Sequence, residues 1–158
     1  MREAARPADV IDADYVKVRL EEAGACLLAL PSRGTLPAGY RTAWPEIVRA
    51  VEAWFSAVAD GPQRPPAPSP RKISEMDEVY FTWLPLVSPG AVQTRQLLWL
   101  RSLVNPVNDK HLWPWRRLQD RLGLNRETLA RYHSNGIDRI VTKLNNPDWK
   151  SSMGSELP

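Results

Sequence analysis

The chain has 158 residues, 43% of them hydrophobic and 25% charged, which is the balance of an ordinary globular protein with a buried core. The single cysteine excludes an intrachain disulfide, and no cluster of Cys and His has metal-ligand spacing, so we expect no metal and no cofactor. Residues 1–14 lack an apolar run, and no stretch approaches the roughly 18 apolar residues of a membrane span. We therefore expect a cytoplasmic protein with no membrane partner.

Helical periodicity dominates the N-terminal two thirds of the chain, and no segment has a convincing strand pattern. We predict a first helix from Asp12 or Asp14 to about Leu30 and a second helix that starts at Pro45. The segment 61–70 is too rich in proline for a helix and is predicted to be an extended connector.

Two Ser-Pro pairs mark the next helices, because Ser is favoured as N-cap and Pro at the first helical position. We predict a third helix from Ser69–Pro70 and a fourth from Ser88–Pro89. The four helices form a predicted N-terminal body at residues 13–104, and Asn105–Leu112 is predicted to be a loop.

The segment Trp115–Ser134, WRRLQDRLGLNRETLARYHS, has the pattern of a helix-turn-helix, in which two short helices pack across a tight turn. Pro114 is predicted to start a fifth helix, Gly123 to make the turn by adopting a positive φ, and Asn125 to cap a sixth helix. Apolar residues occupy the positions where the inner faces of the two helices would meet, namely Leu118, Leu122, Leu124, Leu129 and Tyr132.

The prediction is therefore an all-α fold of about six helices, with the helix-turn-helix at residues 113–145 and a flexible tail at 146–158.

Positive charge is concentrated around the predicted helix-turn-helix. Residues 110–150 hold nine Lys and Arg against four Asp and Glu, whereas residues 1–109 hold 12 against 13. Such a concentration is expected of a phosphate-binding surface, although a solvated basic face without a partner would carry the same charge.

The outward positions of the sixth helix carry side chains that can read base edges in a major groove, since Arg grips guanine, Asn reads adenine and Glu accepts from cytosine. The base-reading candidates are Asn125, Arg126, Glu127, Ala130, Arg131 and Ser134. The candidates for phosphate contacts, which would hold the register on the duplex, are Arg116, Arg117, Arg121, Thr128, Arg139 and Lys143.

Gln119 departs from the usual pattern of Ala or Gly at the helix crossing, so we expect a wider crossing or a shifted register. A plain helical hairpin with a Gly C-cap is the alternative to a DNA-binding motif.

The chain resembles a family of small proteins of phages and prophages, chiefly from alphaproteobacteria. The residues that carry the resemblance are YVKVRLEEAGACLLALP at Tyr15–Pro31 with YRTAWPEIV at Tyr40–Val48, PPAPSPRKISEMDEVYFTWL at Pro65–Leu84, and LLWLRS at Leu97–Ser102 with the segment Trp115–Asn145. That last segment is also similar to region 4 of bacterial sigma factors, a helix-turn-helix that binds promoter DNA. The resemblance implies a DNA-binding role in phage biology. The chain departs from the family by extra residues around Val104–Leu112, and nothing in it resembles sigma region 2.

We therefore expect a nucleoid-associated protein that binds double-stranded DNA as a phage- or prophage-derived transcriptional regulator. We expect no enzyme, because no Walker motif, Gly-rich phosphate loop or nucleophile elbow occurs. Two alternatives stay open. One is a DNA-packaging factor similar to a small terminase subunit, which would form a homo-oligomer. The other is a module that binds a phage or host transcription protein, such as polymerase or a sigma factor, without DNA.

His111 and His133 are expected to be exposed or to cap helices, and Cys26 to pack in the core.

Overall fold

The computed structural model describes residues 10–30, 53–54, 65–88, 90–146 and 148. Within these ranges the chain forms five α-helices and no strand, which confirms the all-α prediction. The helices are α1 at Ala13–Leu28, α2 at Pro70–Glu78, α3 at Val92–Ser102, α4 at Trp115–Leu122 and α5 at Arg126–Asn145. Helix α2 continues into a π-helical turn, Val79–Trp83, and a 3-10 turn, Leu84–Leu86.

Side-chain caps fix the starts of α1 and α2. The carboxylate of Asp12 accepts a hydrogen bond from the backbone N–H of Tyr15 at 2.7 Å, and the hydroxyl of Ser69 accepts one from Lys72 at 3.3 Å. Pro70 is the first residue of α2, as predicted. These starts were predictable because a cap is a local interaction that the sequence itself displays.

The predicted start of the fourth helix at Ser88–Pro89 is wrong, since α3 begins at Val92. Ala91 is the N-cap and no side chain caps the helix, whereas the hydroxyl of Ser88 accepts a hydrogen bond from the guanidinium of Arg139. A backbone turn, in which the N–H of Ala91 donates to the carbonyl of Ser88 at 2.9 Å, separates Ser88 from the helix instead. Pro89 lies outside the described residues.

Smaller corrections concern two other boundaries. Helix α1 ends at Leu28 and not at about Leu30, because Ala29 forms its C-cap. Pro114 is the N-cap of α4 and not its first residue. Residues 53 and 54 are helical, but the predicted start of the second helix at Pro45 lies outside the described residues, as do residues 61–64 of the connector and most of the tail at 146–158. Residues 65–69 of the connector are not helical, as predicted, and Pro70 already belongs to α2.

One hydrophobic core joins all five helices. Helix α1 contacts α2, α3 and α5, and α5 also contacts α3 and α4. Fully buried residues come from every helix and include Val16, Leu27, Met76, Leu97, Leu118, Leu129 and Ile140. The two helices of the predicted motif are therefore mounted on the same core as the N-terminal helices. No helix in the described ranges has both the length and the apolar character that crossing a bilayer requires.

The backbone of α1 comes closest to α3 at Gly24. A Cβ atom at this position would lie 1.9 Å from the carbonyl oxygen of Ser102, so only glycine fits. Ser102 itself is 2% exposed, and its hydroxyl donates to the carbonyl of Trp99 at 2.6 Å. Because that proton is used, the hydroxyl of Tyr80 donates to Ser102 Oγ at 2.9 Å, while its ring stacks on Trp99 with centroids 4.6 Å apart. The buried hydroxyls of Ser102 and Tyr80 are thus paired.

We expect Gly24→Ala to lower the free energy of unfolding by about 2–3 kcal/mol, because the new methyl group meets backbone atoms that cannot rotate away. Gly136→Ala is the matched control. A Cβ there would lie 2.8 Å from the side-chain ends of Leu98 and Thr94, which can move, and alanine favours the helix, so we expect a loss below about 1 kcal/mol. Urea denaturation of both variants measures the difference. Equal losses, or a neutral Gly24→Ala, would contradict this description of the crossing.

Candidate nucleic-acid interface

The turn between α4 and α5 has the local geometry that the sequence predicts. Gly123 ends α4 in the left-handed conformation, with φ of 66°, and its N–H donates to the carbonyl of Gln119 at 2.9 Å. Asn125 is the N-cap of α5, and its side-chain oxygen accepts a hydrogen bond from the N–H of Thr128 at 2.7 Å. Only residues 123–125 separate the two helices. The predicted turn and cap are confirmed.

The inner faces of α4 and α5 meet over the hydrophobic core. Leu118 and Leu129 are completely buried. The other three predicted inner positions, Leu122, Leu124 and Tyr132, are half-buried and pack against the same core. Gln119, the departure from the usual pattern, is also half-buried at the crossing. The five apolar residues therefore join α4 and α5 to the core, and the opposite side of α5 faces outward.

The outward side of α5 carries four of the base-reading candidates on one face. Glu127, Ala130, Arg131 and Ser134 are all exposed. At about 100° of rotation per residue they lie within a sector of about 100° around the helix axis. Arg126 is exposed in the first turn of the same helix. The structure thus brings these five candidates together at the N-terminal half of α5.

Two candidates in this region are already engaged within the protein. The amide oxygen of Asn125 caps the helix, so pairing with an adenine edge, which needs this oxygen as acceptor and the NH₂ group as donor, would compete with the cap. Thr128 is half-buried, and its backbone N–H is the group that Asn125 caps. Asn125 therefore has a structural role that competes with base reading.

Helix α4 carries three basic candidates. Arg116, Arg117 and Arg121 are all exposed. The guanidinium of Arg117 lies over the ring of Trp113, 4.2 Å from its centroid, and donates to the carbonyl of Leu112 at 3.2 Å. These contacts hold Arg117 close to the start of α4 and leave its remaining N–H groups to donate elsewhere.

Arg139 and Lys143 lie on a different side of α5 from the base-reading candidates. They border an open hollow of about 570 Å³ together with Leu86 and Ser88, and Arg139 donates to the hydroxyl of Ser88. At about 100° of rotation per residue, Arg139 lies about 80° and Lys143 about 120° around the axis from Arg131, the nearest residue of the outward face. The structure therefore separates these two phosphate candidates from the other basic residues.

The sequence did not indicate a crevice that borders the reading face. It lies between α1, α3, α4 and α5, and Ala130 and Ser134 form part of its lining together with Lys17, Arg101, Trp115 and His133. Long-range packing of α1 against α5 creates it, and no local pattern predicts that packing. Among the described residues, no group of His, Cys, Asp and Glu is arranged to hold a metal ion.

His133 is half-buried in this crevice and not exposed as expected. Its ring meets the edge of Trp115, with centroids 5.6 Å apart and an interplanar angle of 81°. The pKa of His133 is lowered to about 4, chiefly by burial and in addition by the nearby Arg101, Lys17 and His111. The imidazole is therefore neutral at neutral pH.

We expect His133 to make the fold sensitive to mild acid. Because the pKa in the folded chain, about 4, lies below the unfolded value of 6.5, the unfolded chain binds the proton first as the pH falls. The free energy of unfolding should therefore drop between pH 6.5 and 4, by on the order of 2 kcal/mol after allowance for partial exposure. Urea denaturation across this range should give a shallower decline for His133→Gln than for the wild type. Parallel curves would contradict the burial of a neutral imidazole.

Comparison with known proteins gives one family. A family model described as a domain of unknown function, DUF6362, matches residues 29–140. This stretch includes α2, α3, α4 and most of α5, and so takes in the turn and the outward face described above. No curated protein and no solved structure matches the chain. Because the match covers well over half of the chain, the protein belongs to the DUF6362 family.

Proposed function

We propose that the protein binds double-stranded DNA sequence-specifically, with the N-terminal half of α5 in the major groove and α4 across the backbone. The observation that carries this proposal is the exposed face of Glu127, Ala130, Arg131 and Ser134, which follows a left-handed turn at Gly123. In a helix-turn-helix the first residues of the second helix contact base edges, and this face occupies the corresponding positions.

The charge of this surface supports the proposal. Arg116, Arg126 and Arg131 are exposed and make no ion pair with any acidic residue that the structure describes. Their charges are therefore available to phosphates or bases. The helix N-terminus at Arg126 adds a partial positive charge that favours a nearby phosphate.

The rigidity of α5 supports it as well. The helix is 20 residues long, and its second half is anchored in the core by Ile137 and Ile140, which are 1% and 0% exposed. A reading surface on one continuous helix keeps its side chains in fixed register, which favours specific over purely electrostatic binding.

Within this proposal, the protein acts as a transcriptional regulator of phage or prophage origin. This role is supported by the resemblance of Trp115–Asn145 to sigma region 4, a promoter-binding helix-turn-helix. The basic residues of α4 are consistent with docking beside a promoter strand. Reporter assays with a promoter fragment selected by the protein test this role, and unchanged transcription would refute it.

We expect binding to a short duplex to weaken steeply with salt. If Arg116, Arg117 and Arg121 each neutralise one phosphate, the plot of log K against log salt concentration should have a slope of about −3, and each lost contact should change the slope by about 1. Gel-shift or anisotropy titration at several salt concentrations gives the slope, and Arg116→Ala should reduce its magnitude. Lack of binding at low salt would sink the proposal and would favour a protein-binding module.

We expect Arg131→Ala and Lys143→Ala to behave differently on a duplex selected by the protein from a random pool. Arg131 lies on the reading face, so its loss should weaken specific binding by ~1–3 kcal/mol and relax the preference at one base pair. Lys143 borders the separate hollow beside Ser88, so its loss should leave affinity unchanged. Equal effects of the two substitutions would contradict the assignment of the interface to the N-terminal half of α5.

A further inference from the structure

The crevice between the N-terminal helices and the motif is a candidate binding site that lies next to the proposed DNA-binding face. Its volume is about 280 Å³, close to the lower end of the range of small-molecule sites. Leu20 and Leu98 contribute apolar walls, and the polar lining comes from Lys17, Glu21, Arg101 and Ser134, one or two residues from each of three helices. Convergence of a few polar groups on a partly apolar hollow is typical of a ligand site.

The polar lining is predominantly positive. Arg101 makes no ion pair with a described acidic residue; its guanidinium lies 4.6 Å from the centroid of the Trp115 ring and donates to the carbonyl of Trp113 at 3.3 Å. The single carboxylate of the lining belongs to Glu21, which lies 3.5 Å from Nε2 of His111. Lys17 has an exposed ion pair with Asp14, which contributes little attraction in water.

The imidazole of His133 lies in the same crevice as these charges. The groups that face it are Lys17 and Glu21 from α1, Arg101 from α3, and His111 from the loop before α4. Arg101 and Lys17 both disfavour a proton on His133 and so contribute to its lowered pKa. The acidic side chains that the structure describes near the crevice thus do not fully neutralise its positive charge. The crevice is partly shielded from water, so charge interactions there are stronger than at the open surface.

We propose that this crevice binds a phosphate group, held by the guanidinium of Arg101, the ammonium of Lys17 and the hydroxyl of Ser134. Arg supplies parallel N–H donors that match two phosphate oxygens, Lys adds a mobile charge, and a serine hydroxyl can donate to a third oxygen. A backbone phosphate of bound DNA and a free phosphate ester share this chemistry. The DNA source rests on the proposed function, because Ala130 and Ser134 belong to both the crevice and the proposed reading face.

The test uses His133 as a reporter in the full-length protein. Histidine resonances, assigned with a His133→Gln sample, are followed by NMR across pH with and without millimolar inorganic phosphate at constant ionic strength. A bound anion favours the imidazolium, so phosphate should raise the pKa of His133. Lys17→Ala should weaken the phosphate affinity by roughly tenfold, the loss of one charge-assisted contact. Lys72→Ala, an exposed lysine of α2 outside the crevice, is the control and should not change it.

A second arm identifies the source of the phosphate. If duplex DNA raises the pKa of His133 and Lys17→Ala reduces the salt slope of DNA binding by about 1, the crevice holds a backbone phosphate. If inorganic phosphate acts on His133 but DNA does not, the site takes a free phosphate ester. No response of His133 to inorganic phosphate or to DNA overturns the proposal. The phosphate arm needs no DNA, so it separates failure of the crevice site from failure of the proposed DNA binding.

Discussion

The crossing of α1 over the end of α3 is the contact on which the rest of the fold depends. At this point the α1 backbone lies against the carbonyl of Ser102, an approach that only Gly24 permits. Ser102 is the last residue of α3, so the crossing also fixes where the following loop begins. In that loop the N–H of Leu112 donates to the carbonyl of Leu103 at 2.9 Å, which returns the chain to the body just before α4 starts. The position of α4 therefore depends on the α1–α3 crossing.

The packing of α5 on the core decides which of its sides face outward. Its C-terminal half packs on α3 at Gly136 and buries Ile137 and Ile140. These contacts set the rotation of the helix about its own axis. That rotation turns the first turns of the helix outward and opens the crevice against α1. It also directs Arg139 towards Ser88 on the other side. The reading face and the crevice are thus consequences of one helix rotation.

Local features of the fold could be predicted from the sequence, and long-range ones could not. The caps at Ser69 and Asn125 and the turn at Gly123 each depend on a few neighbouring residues, which the sequence displays directly. The start of α3 was misplaced because the hydroxyl expected to cap it bonds to Arg139, 51 residues away. The burial of His133 depends likewise on how α1 packs against α5, and no periodicity encodes that.

The central claim is that one face, formed by α4 and the N-terminal half of α5, contacts DNA. The most direct measurement is amide hydrogen exchange of the full-length protein with and without a duplex that it has selected. DNA should slow exchange in residues 115–134, and it should leave the residues around Ser88 and Lys143 unchanged. Slowed exchange confined to the region of Ser88 and Lys143, or no change anywhere, would contradict the account.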